Sequence, residues 1–154
     1  MSSESGSEFV NDADLLRGFV YAADNGAVIA SNSWADFDPV SSLKVDAINY
    51  FIRNAGKFEG SPLNGGLVVF AAANENSTDA PSPINSVDID RNSVLIVGAV
   101  SAKRVKASFS NYGTWVDIAA PGGGFDGKGI YSTLTDGRYG FMNGTSMACP
   151  HASG

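Results

Sequence analysis

The stretch Gly66-Leu67-Val68-Val69-Phe70-Ala71-Ala72 carries no charged or strongly polar side chain, and it predicts a strand that is buried on both faces. Three further short apolar runs predict strands of the same kind, at residues 27–30, 93–100 and 115–119. Helical periodicity predicts two helices, at residues 11–25 and 41–54, and the second separates the first two strands. Because such strands alternating with helices are typical of parallel βαβ units, the sequence predicts an α/β fold with a mainly parallel sheet.

The chain changes character after Pro121, where a Gly-rich loop begins. Two short strands are predicted behind that loop, at Ile130–Leu134 and Tyr139–Met142, with Asp136-Gly137 between them, which is typical of a β-hairpin. At the other end, residues 1–10 are mostly Ser, Glu and Gly and predict a flexible polar lead-in.

The overall composition excludes several classes of protein. With 44% hydrophobic and 17% charged residues, the 154 residues can bury a core, so wholesale disorder is not expected. The net charge of -6 argues against a nucleic-acid partner, and no apolar run is long enough to span a bilayer. A single Cys and a single His exclude an intramolecular disulfide, a multi-thiolate zinc site and a His-rich metal centre.

The Gly-rich loop invites comparison with nucleotide-binding loops. Gly122, Gly124 and Gly127 match G-x-G-x-x-G, and Gly127-Lys128 resembles part of a P-loop. Both mechanisms require a helix after the glycines, whereas Gly129 follows here and the next residues favour a strand. A surface loop is therefore the favoured interpretation, and a nucleotide-binding α/β protein is the weakest hypothesis.

The segment before the third strand begins like a calcium loop. Asp88, Asp90 and Asn92 alternate as calcium ligands do, but Ser93 replaces the required Gly and Ala99 stands where the loop needs Glu. We interpret the segment as a solvated loop, with a weak calcium site of another geometry left open.

The segment Asn143-Gly144-Thr145-Ser146-Met147-Ala148-Cys149-Pro150-His151 combines a Gly-containing turn with residues that suit the start of a helix. A Ser at such a junction has an exposed hydroxyl and an unpaired backbone N–H, which can stabilise the oxyanion formed in acyl transfer. Taken alone, the pattern also fits an ordinary Ser or Thr helix cap.

This segment closely resembles the nucleophile motif of the subtilisin-like serine peptidases. The stretch 70–75 resembles the oxyanion-hole strand and loop of that family, and 31–35 resembles its substrate-binding segment. Further matching stretches follow in the family's order, at residues 97–100, 107–113, 117–122 and 130–134. The resemblance implies a subtilisin-like, three-layer α/β/α fold, with residues 11–154 forming about the C-terminal half of the catalytic domain.

The resemblance also implies roles for individual residues. Ser146 would be the nucleophile, and Asn74 would donate its side-chain amide to the oxyanion beside the N–H of Ser146. The residues expected to bind substrate are Ser33, Trp34, Ala35, Ala72, Ala73, Gly144 and Thr145. The family usually has Gly where Ala35 and Ala73 stand, so a narrower primary pocket is expected.

The lone histidine does not supply a catalytic base. His151 follows Ser146 by five residues, which on a helix is a rotation of about 140° and a rise of roughly 7.5 Å, so its ring would point away from the hydroxyl. It matches the family's non-catalytic helix His, and Asp117 matches a structural strand position. The family's catalytic Asp and His motifs precede the region that this chain resembles.

These observations lead to two main hypotheses. In the first, this chain is part of a secreted serine endopeptidase: it is inactive by itself and is completed by an N-terminal part of the same catalytic domain. In the alternative, it is a non-catalytic peptide-binding pseudoprotease module. The expected partner is a polypeptide substrate, and the exposed apolar surface is expected to favour self-association. No cofactor or metal is required for the chemistry, although the family resemblance leaves room for calcium at an unknown site. An extracellular or periplasmic location is implied by the resemblance alone.

Overall fold

The computed structural model describes residues 12–35, 41–86, 88–124 and 129–154, so the predicted lead-in at residues 1–10 lies outside it. The elements of the described residues, in chain order, are α1 (Asp12–Asp24), β1 (Ile29–Asn32), α2 (Ser42–Asn54), β2 (Leu67–Ala71), β3 (Val94–Val100), β4 (Ile118–Pro121), β5 (Ile130–Thr133), β6 (Tyr139–Met142) and α3 (Thr145–Ser153). Strands β1 to β4 lie in that order in one parallel sheet, and β5 and β6 form a separate antiparallel pair. The predicted α/β class and mainly parallel sheet are therefore confirmed.

Strand β2 lies between β1 and β3, as its continuous hydrophobicity predicts. Val68 pairs with Ala30 of β1 on one side and with Val94 of β3 on the other. The side chains of Val68, Val69 and Phe70 are fully buried, because both faces of β2 are covered.

Alternate residues of the central strands face two different cores. Val68, Phe70 and Ile96 pack with residues of α1 and α2, including Phe19 and Phe51. The other face carries a second core, in which α3 contributes Ala148 and Cys149; its strand residues are Val69, Ala71, Val97, Ala99 and Ala120. Helices thus cover both faces of the sheet, and the predicted three-layer α/β/α arrangement is confirmed.

Helices α1 and α2 lie side by side on one face. The rings of Phe19 and Phe51 meet edge to face at 6.0 Å. At the surface, the Tyr50 hydroxyl donates to the Asp24 carboxylate at 2.9 Å, and this bond raises the pKa of Tyr50. Among the described residues, no helix is long and apolar enough to cross a membrane.

Two of the predicted strands begin later than the apolar residue runs from which they were predicted. The strand predicted at 27–30 occupies 29–32, because the N–H of Ala27 still bonds to the carbonyl of Ala22 at the end of α1. The strand predicted at 115–119 occupies 118–121, because the N–H of Val116 closes a turn on Gly113. A run of apolar residues does not by itself distinguish a turn that packs on the core from the strand that follows the turn.

Two further features differ in detail from the sequence prediction. Strand β1 is not wholly buried, since Ile29 is 39% exposed and no described strand pairs with the outer side of β1. The predicted hairpin is present as β5 and β6, but a short 3₁₀ turn at Thr135–Gly137 joins them, with Gly137 at a φ of 68°.

Asp117 lies directly before β4, where its carboxylate accepts the N–H of Ile96 at 2.7 Å and pairs with Arg91 at 3.4 Å.

Candidate active site

Ser146 lies in the first turn of α3, which begins at Thr145 directly after a sharp glycine turn. Gly144 has a φ of 155°, and its N–H donates to the carbonyl of Gly122 at 2.9 Å. The N–H of Ser146 has no acceptor among the residues that the structure describes. This is expected at a helix N-terminus, where the first N–H groups have no intrahelical partner.

The hydroxyl of Ser146 is directed at the end of β1. Its Oγ donates to the carbonyl of Ser33 at 3.3 Å, and the hydroxyl of Ser33 donates to the carbonyl of Ser146 at 2.8 Å. These two reciprocal bonds bring together residues that are 113 positions apart. The predicted nucleophile and the first predicted substrate-binding residue are therefore neighbours.

Asn74 follows β2 and reaches the same helix terminus. Its Oδ1 accepts both the N–H of Thr145, at 2.8 Å, and the hydroxyl of Thr145, at 3.1 Å. Two donors on one atom assign that atom as the amide oxygen, so the NH₂ group of Asn74 faces away from Thr145. A methyl group built on Gly144 would lie 3.6 Å from the N–H nitrogen of Ser146 and 3.7 Å from Oδ1 of Asn74, so the Asn74 carboxamide and the Ser146 N–H lie on the same side of the Gly144 turn.

The backbone before Asn74 is in an unusual conformation. Ala73 has a φ of 72°, in the left-handed region that costs a non-glycine residue about 1–2 kcal/mol. This conformation explains why a Gly is the usual residue at this position in the family that the sequence resembles. Ala73 is buried, with 6% of its surface exposed.

The other predicted substrate-binding residues are placed less uniformly. Trp34 is half-buried, its ring packs edge to face on Phe70 at 5.3 Å, and its Nε1 donates to Oδ1 of Asn32. Ala72 is fully buried in the core beneath α1 and α2, while Ala35 is half-buried. Of this predicted set, the structure thus brings Ser33, Gly144 and Thr145 around Ser146 and Asn74, while the side chains of Trp34 and Ala72 pack in the core; substrate binding by these residues stays a prediction.

His151 is not hydrogen-bonded to Ser146. Its Nδ1 lies 2.7 Å from the carbonyl of Met147, one turn back along α3, which fits a proton on Nδ1. Ser146, Met147 and His151 do line one cleft of about 370 Å³, together with Met142 and other residues of the β5–β6 pair. The lone His is therefore near the nucleophile but is engaged elsewhere.

Two residues at this site have functions that the sequence does not indicate. Thr145, which is predicted to bind substrate, also donates two hydrogen bonds to the amide oxygen of Asn74. Asn111, for which the sequence indicates no role beyond its place in the matching stretch 107–113, bonds to the backbone of the loop that carries Asn74. Neither contact has a local signal, because each joins segments that are far apart in the chain.

Gly122 and Asp90, from the two segments compared with nucleotide-binding and calcium-binding loops, make hydrogen bonds within the fold. The N–H of Gly122 donates to Val100 and its carbonyl accepts from Gly144, while Gly127 and Lys128 lie outside the described residues. The Asp90 carboxylate accepts the N–H of Asn92, and so caps a short 3₁₀ turn. In the described part of the chain, no group of three or more His, Cys, Asp or Glu side chains could hold a metal ion.

Substituting Gly122 by alanine tests the contact between β4 and the nucleophile turn. A methyl group there would lie 2.6 Å from Cβ of Ala99 and 2.7 Å from the carbonyl oxygen of Gly144. We expect Gly122→Ala to lower the free energy of unfolding by about 1–3 kcal/mol in urea titrations. Gly18→Ala is the matched control: nothing lies within 4 Å of its added methyl in α1, so it is expected to stabilise. Equal effects of the two substitutions would contradict the prediction.

A serine at a helix N-terminus, beside its own free N–H and an asparagine carboxamide, is an arrangement typical of enzymes that transfer acyl groups through serine. The family model of the subtilase family matches residues 2–154. The chain therefore belongs to the subtilase family, and its fold is subtilisin-like.

Individual relatives agree with this assignment. The chain is 38% identical to the Thermophilic serine proteinase of Bacillus sp. (strain AK1), over 92% of this chain and 30% of that protein. It is 37% identical to the Major intracellular serine protease of Bacillus subtilis (strain 168), over 91% of this chain and 39% of that protein. Among solved structures, the self-cleaved protease domain of PatA superposes with a TM-score of 0.73 at 27% identity, covering 94% of this chain and 49% of that one. The chain thus spans less than half the length of these relatives.

Proposed function

We propose that this chain is the C-terminal half, residues 11–154, of the catalytic domain of a serine endopeptidase, with Ser146 as its nucleophile. Oγ of Ser146 attacks the peptide carbonyl, and its proton passes to a base and then to the leaving amine; water then hydrolyses the acyl-enzyme. The observation that carries this proposal is the pair of bonds from Thr145 to Oδ1 of Asn74. Those bonds engage Oδ1 and leave the NH₂ group as the donor that would share an oxyanion with the N–H of Ser146, the residue next to Thr145.

The substrate is proposed to be an extended polypeptide that lies along the end of β1. Residues 33–35 continue beyond that strand, and no described strand occupies its outer side. An extended peptide can pair with such an edge through main-chain hydrogen bonds. Ser33 then connects the proposed substrate-binding segment to the nucleophile, since it both donates a hydrogen bond to Ser146 and accepts one from it.

The base and its orienting carboxylate are proposed to come from an N-terminal part of the same domain. The sequence contains one His, and the ring of His151 bonds to the Met147 carbonyl while the Ser146 hydroxyl bonds to Ser33. The outer side of β1 itself, at Ile29–Asn32, offers the N-terminal part a place to dock and leaves residues 33–35 for the substrate; the same strand edge supports self-association of the chain when that part is absent. The term complete domain denotes this chain together with a preceding part that carries the catalytic Asp and His motifs.

The 154-residue chain alone is expected to show no measurable peptide hydrolysis and only very slow labelling by a fluorophosphonate. The physical reason is that no base takes the proton of Ser146, which leaves the hydroxyl a weak nucleophile. Mass spectrometry of labelled chain measures the result, and Ser146→Ala supplies the background. The complete domain should label rapidly at Ser146. Rapid stoichiometric labelling of the chain alone would contradict the proposal, and a complete domain that binds peptides without labelling would favour the pseudoprotease alternative.

Location and calcium are further proposals that rest on the family resemblance. An extracellular or periplasmic location is proposed, although one relative is named as an intracellular protease, so fractionation of cells that make the native protein is the test. The proposed chemistry requires no cofactor. A calcium ion would act by stabilising the fold, and a shift of Tm on adding a chelator would detect it.

A further inference from the structure

The loop that follows Asn74 is held by one buried side chain. Asn111 is 1% exposed, and its Oδ1 accepts the N–H of Glu75 at 2.8 Å and the N–H of Ser77 at 3.1 Å. The backbone N–H of Asn111 donates to the carbonyl of Ala73 at 3.1 Å. Asn111 therefore bonds to the residues directly before and directly after Asn74.

This loop needs external support because its backbone is strained. Ala73 has a φ of 72° and Asn76 has a φ of 52°, so two non-glycine residues of the loop lie in the left-handed region. Such conformations persist only where the surroundings hold them in place. The three bonds from Asn111 supply that restraint on both sides of the proposed oxyanion donor.

A second anchor in the same segment holds the far end of the loop. Nζ of Lys106 donates to Oδ1 of Asn76 at 3.0 Å and to the carbonyl of Ser110 at 2.9 Å, and it lies 4.7 Å from the centre of the Tyr112 ring. The N–H of Tyr112 donates to the carbonyl of Ser77 at 3.0 Å. Hydrogen bonds from several residues of the segment 106–112 thus hold the loop 73–77 in place.

We propose that Asn111 is a positioning residue for catalysis: it fixes the backbone on both sides of Asn74, so that the Asn74 amide is presented to the oxyanion. The proposal rests on the proposed function of Asn74 and Ser146. The Asn111 side chain acts through its oxygen alone, because its Nδ2 has no hydrogen-bond partner among the described residues. An aspartate at this position retains the acceptor oxygen and replaces the unpaired NH₂ by a second oxygen. The carboxyl group adds a cost of burial but can still accept both N–H groups, so Asn111→Asp is the variant that should restore the two bonds.

The first measurement uses the 154-residue chain and does not depend on catalysis. Amide hydrogen exchange at Glu75 and Ser77 should be about tenfold faster in Asn111→Ala, since each N–H loses its acceptor, and should return towards the original rate in Asn111→Asp. The β3 amides serve as the internal control for global unfolding. If exchange of the β3 amides also rises in Asn111→Ala, that variant has lost global stability. The comparison then rests on Asn111→Asp, in which exchange at Glu75 and Ser77 should return towards the original rate. Unchanged exchange at Glu75 and Ser77 in Asn111→Ala would overturn the proposal.

The second measurement is a double-mutant cycle in the complete domain. Asn111→Ala should lower kcat by about tenfold with KM unchanged, a smaller loss than removal of the oxyanion donor itself. On an Asn74→Ala background the same substitution should have no further effect, because there is no donor left to position. Equal losses of kcat in both backgrounds would mean that Asn111 is merely structural and would overturn this inference alone. An Asn74→Ala variant with unchanged kcat would instead overturn the proposed function and this inference with it.

Discussion

Replacing Ser146 by alanine is expected to lower kcat of the complete domain by about 10⁶-fold, the scale found when subtilisin loses its nucleophile. The reason is that the acyl-enzyme cannot form without Oγ, and the remaining oxyanion donors accelerate only a slow direct attack by water. Hydrolysis of a chromogenic peptide, followed to low rates with concentrated enzyme, measures the loss.

The variant should leave the fold intact. Ser146→Ala removes the 3.3 Å bond from Oγ to Ser33 but retains the 2.8 Å bond from the Ser33 hydroxyl to the carbonyl of residue 146. Ser153→Ala is the matched control, since Ser153 lies on the same helix and bonds to Ser31 and to the carbonyl of Cys149. It should retain activity within about threefold, as a substitution remote from the chemistry. Comparable activity of the two variants would mean that another group is the nucleophile.

Replacing Asn74 by alanine is expected to lower kcat by about 10²–10³-fold with little change in KM. That range is the one established for loss of the corresponding donor in subtilisin, and we expect it here because the Asn74 carboxamide bonds to Thr145, the residue next to the proposed nucleophile. The effect falls on kcat because the donor is strongest in the transition state, when charge develops on the oxygen. Steady-state kinetics of the complete domain separate kcat from KM.

The stability of the Asn74 variant provides a second expectation. Removal of Oδ1 leaves the N–H and hydroxyl of the fully buried Thr145 without their acceptor, which should cost about 1–3 kcal/mol in the free energy of unfolding. Asn92→Ala is the matched control, an exposed Asn on the turn before β3. A loss of substrate affinity with unchanged kcat in Asn74→Ala would contradict the oxyanion role.

The accuracy of the sequence prediction differs between elements for a physical reason. Strands β2 and β3, helices α1 and α2 and the β5–β6 pair were predicted to within a residue, because capping or turn residues mark where these elements begin and end. Strands β1 and β4 were displaced by two or three residues. Each of these two strands is preceded by a turn with apolar residues that pack on the core, and the sequence pattern does not separate the turn from the strand.

The site shows the same division. Ser146 and Asn74 were predicted from the order of motifs along the chain, and the structure brings them together across 71 residues through Thr145. Thr145 and Trp34 were predicted to bind substrate, and the structure adds contacts that the sequence did not indicate: Thr145 bonds to Asn74, and the Trp34 ring packs on Phe70. Asn111 was not predicted at all, because an isolated Asn in a turn resembles any other turn residue.

The amino-acid sequence by itself determined the fold class, the candidate nucleophile and the fact that only one His is present, because these follow from composition and from the local order of residues. Only the tertiary structure decided which atom of the Asn74 amide faces Thr145, where the Ser146 hydroxyl is directed, and which residue holds the loop around Asn74. The reason is that these contacts join segments between 34 and 113 residues apart, and a side chain's orientation depends on partners that the folded backbone brings to it.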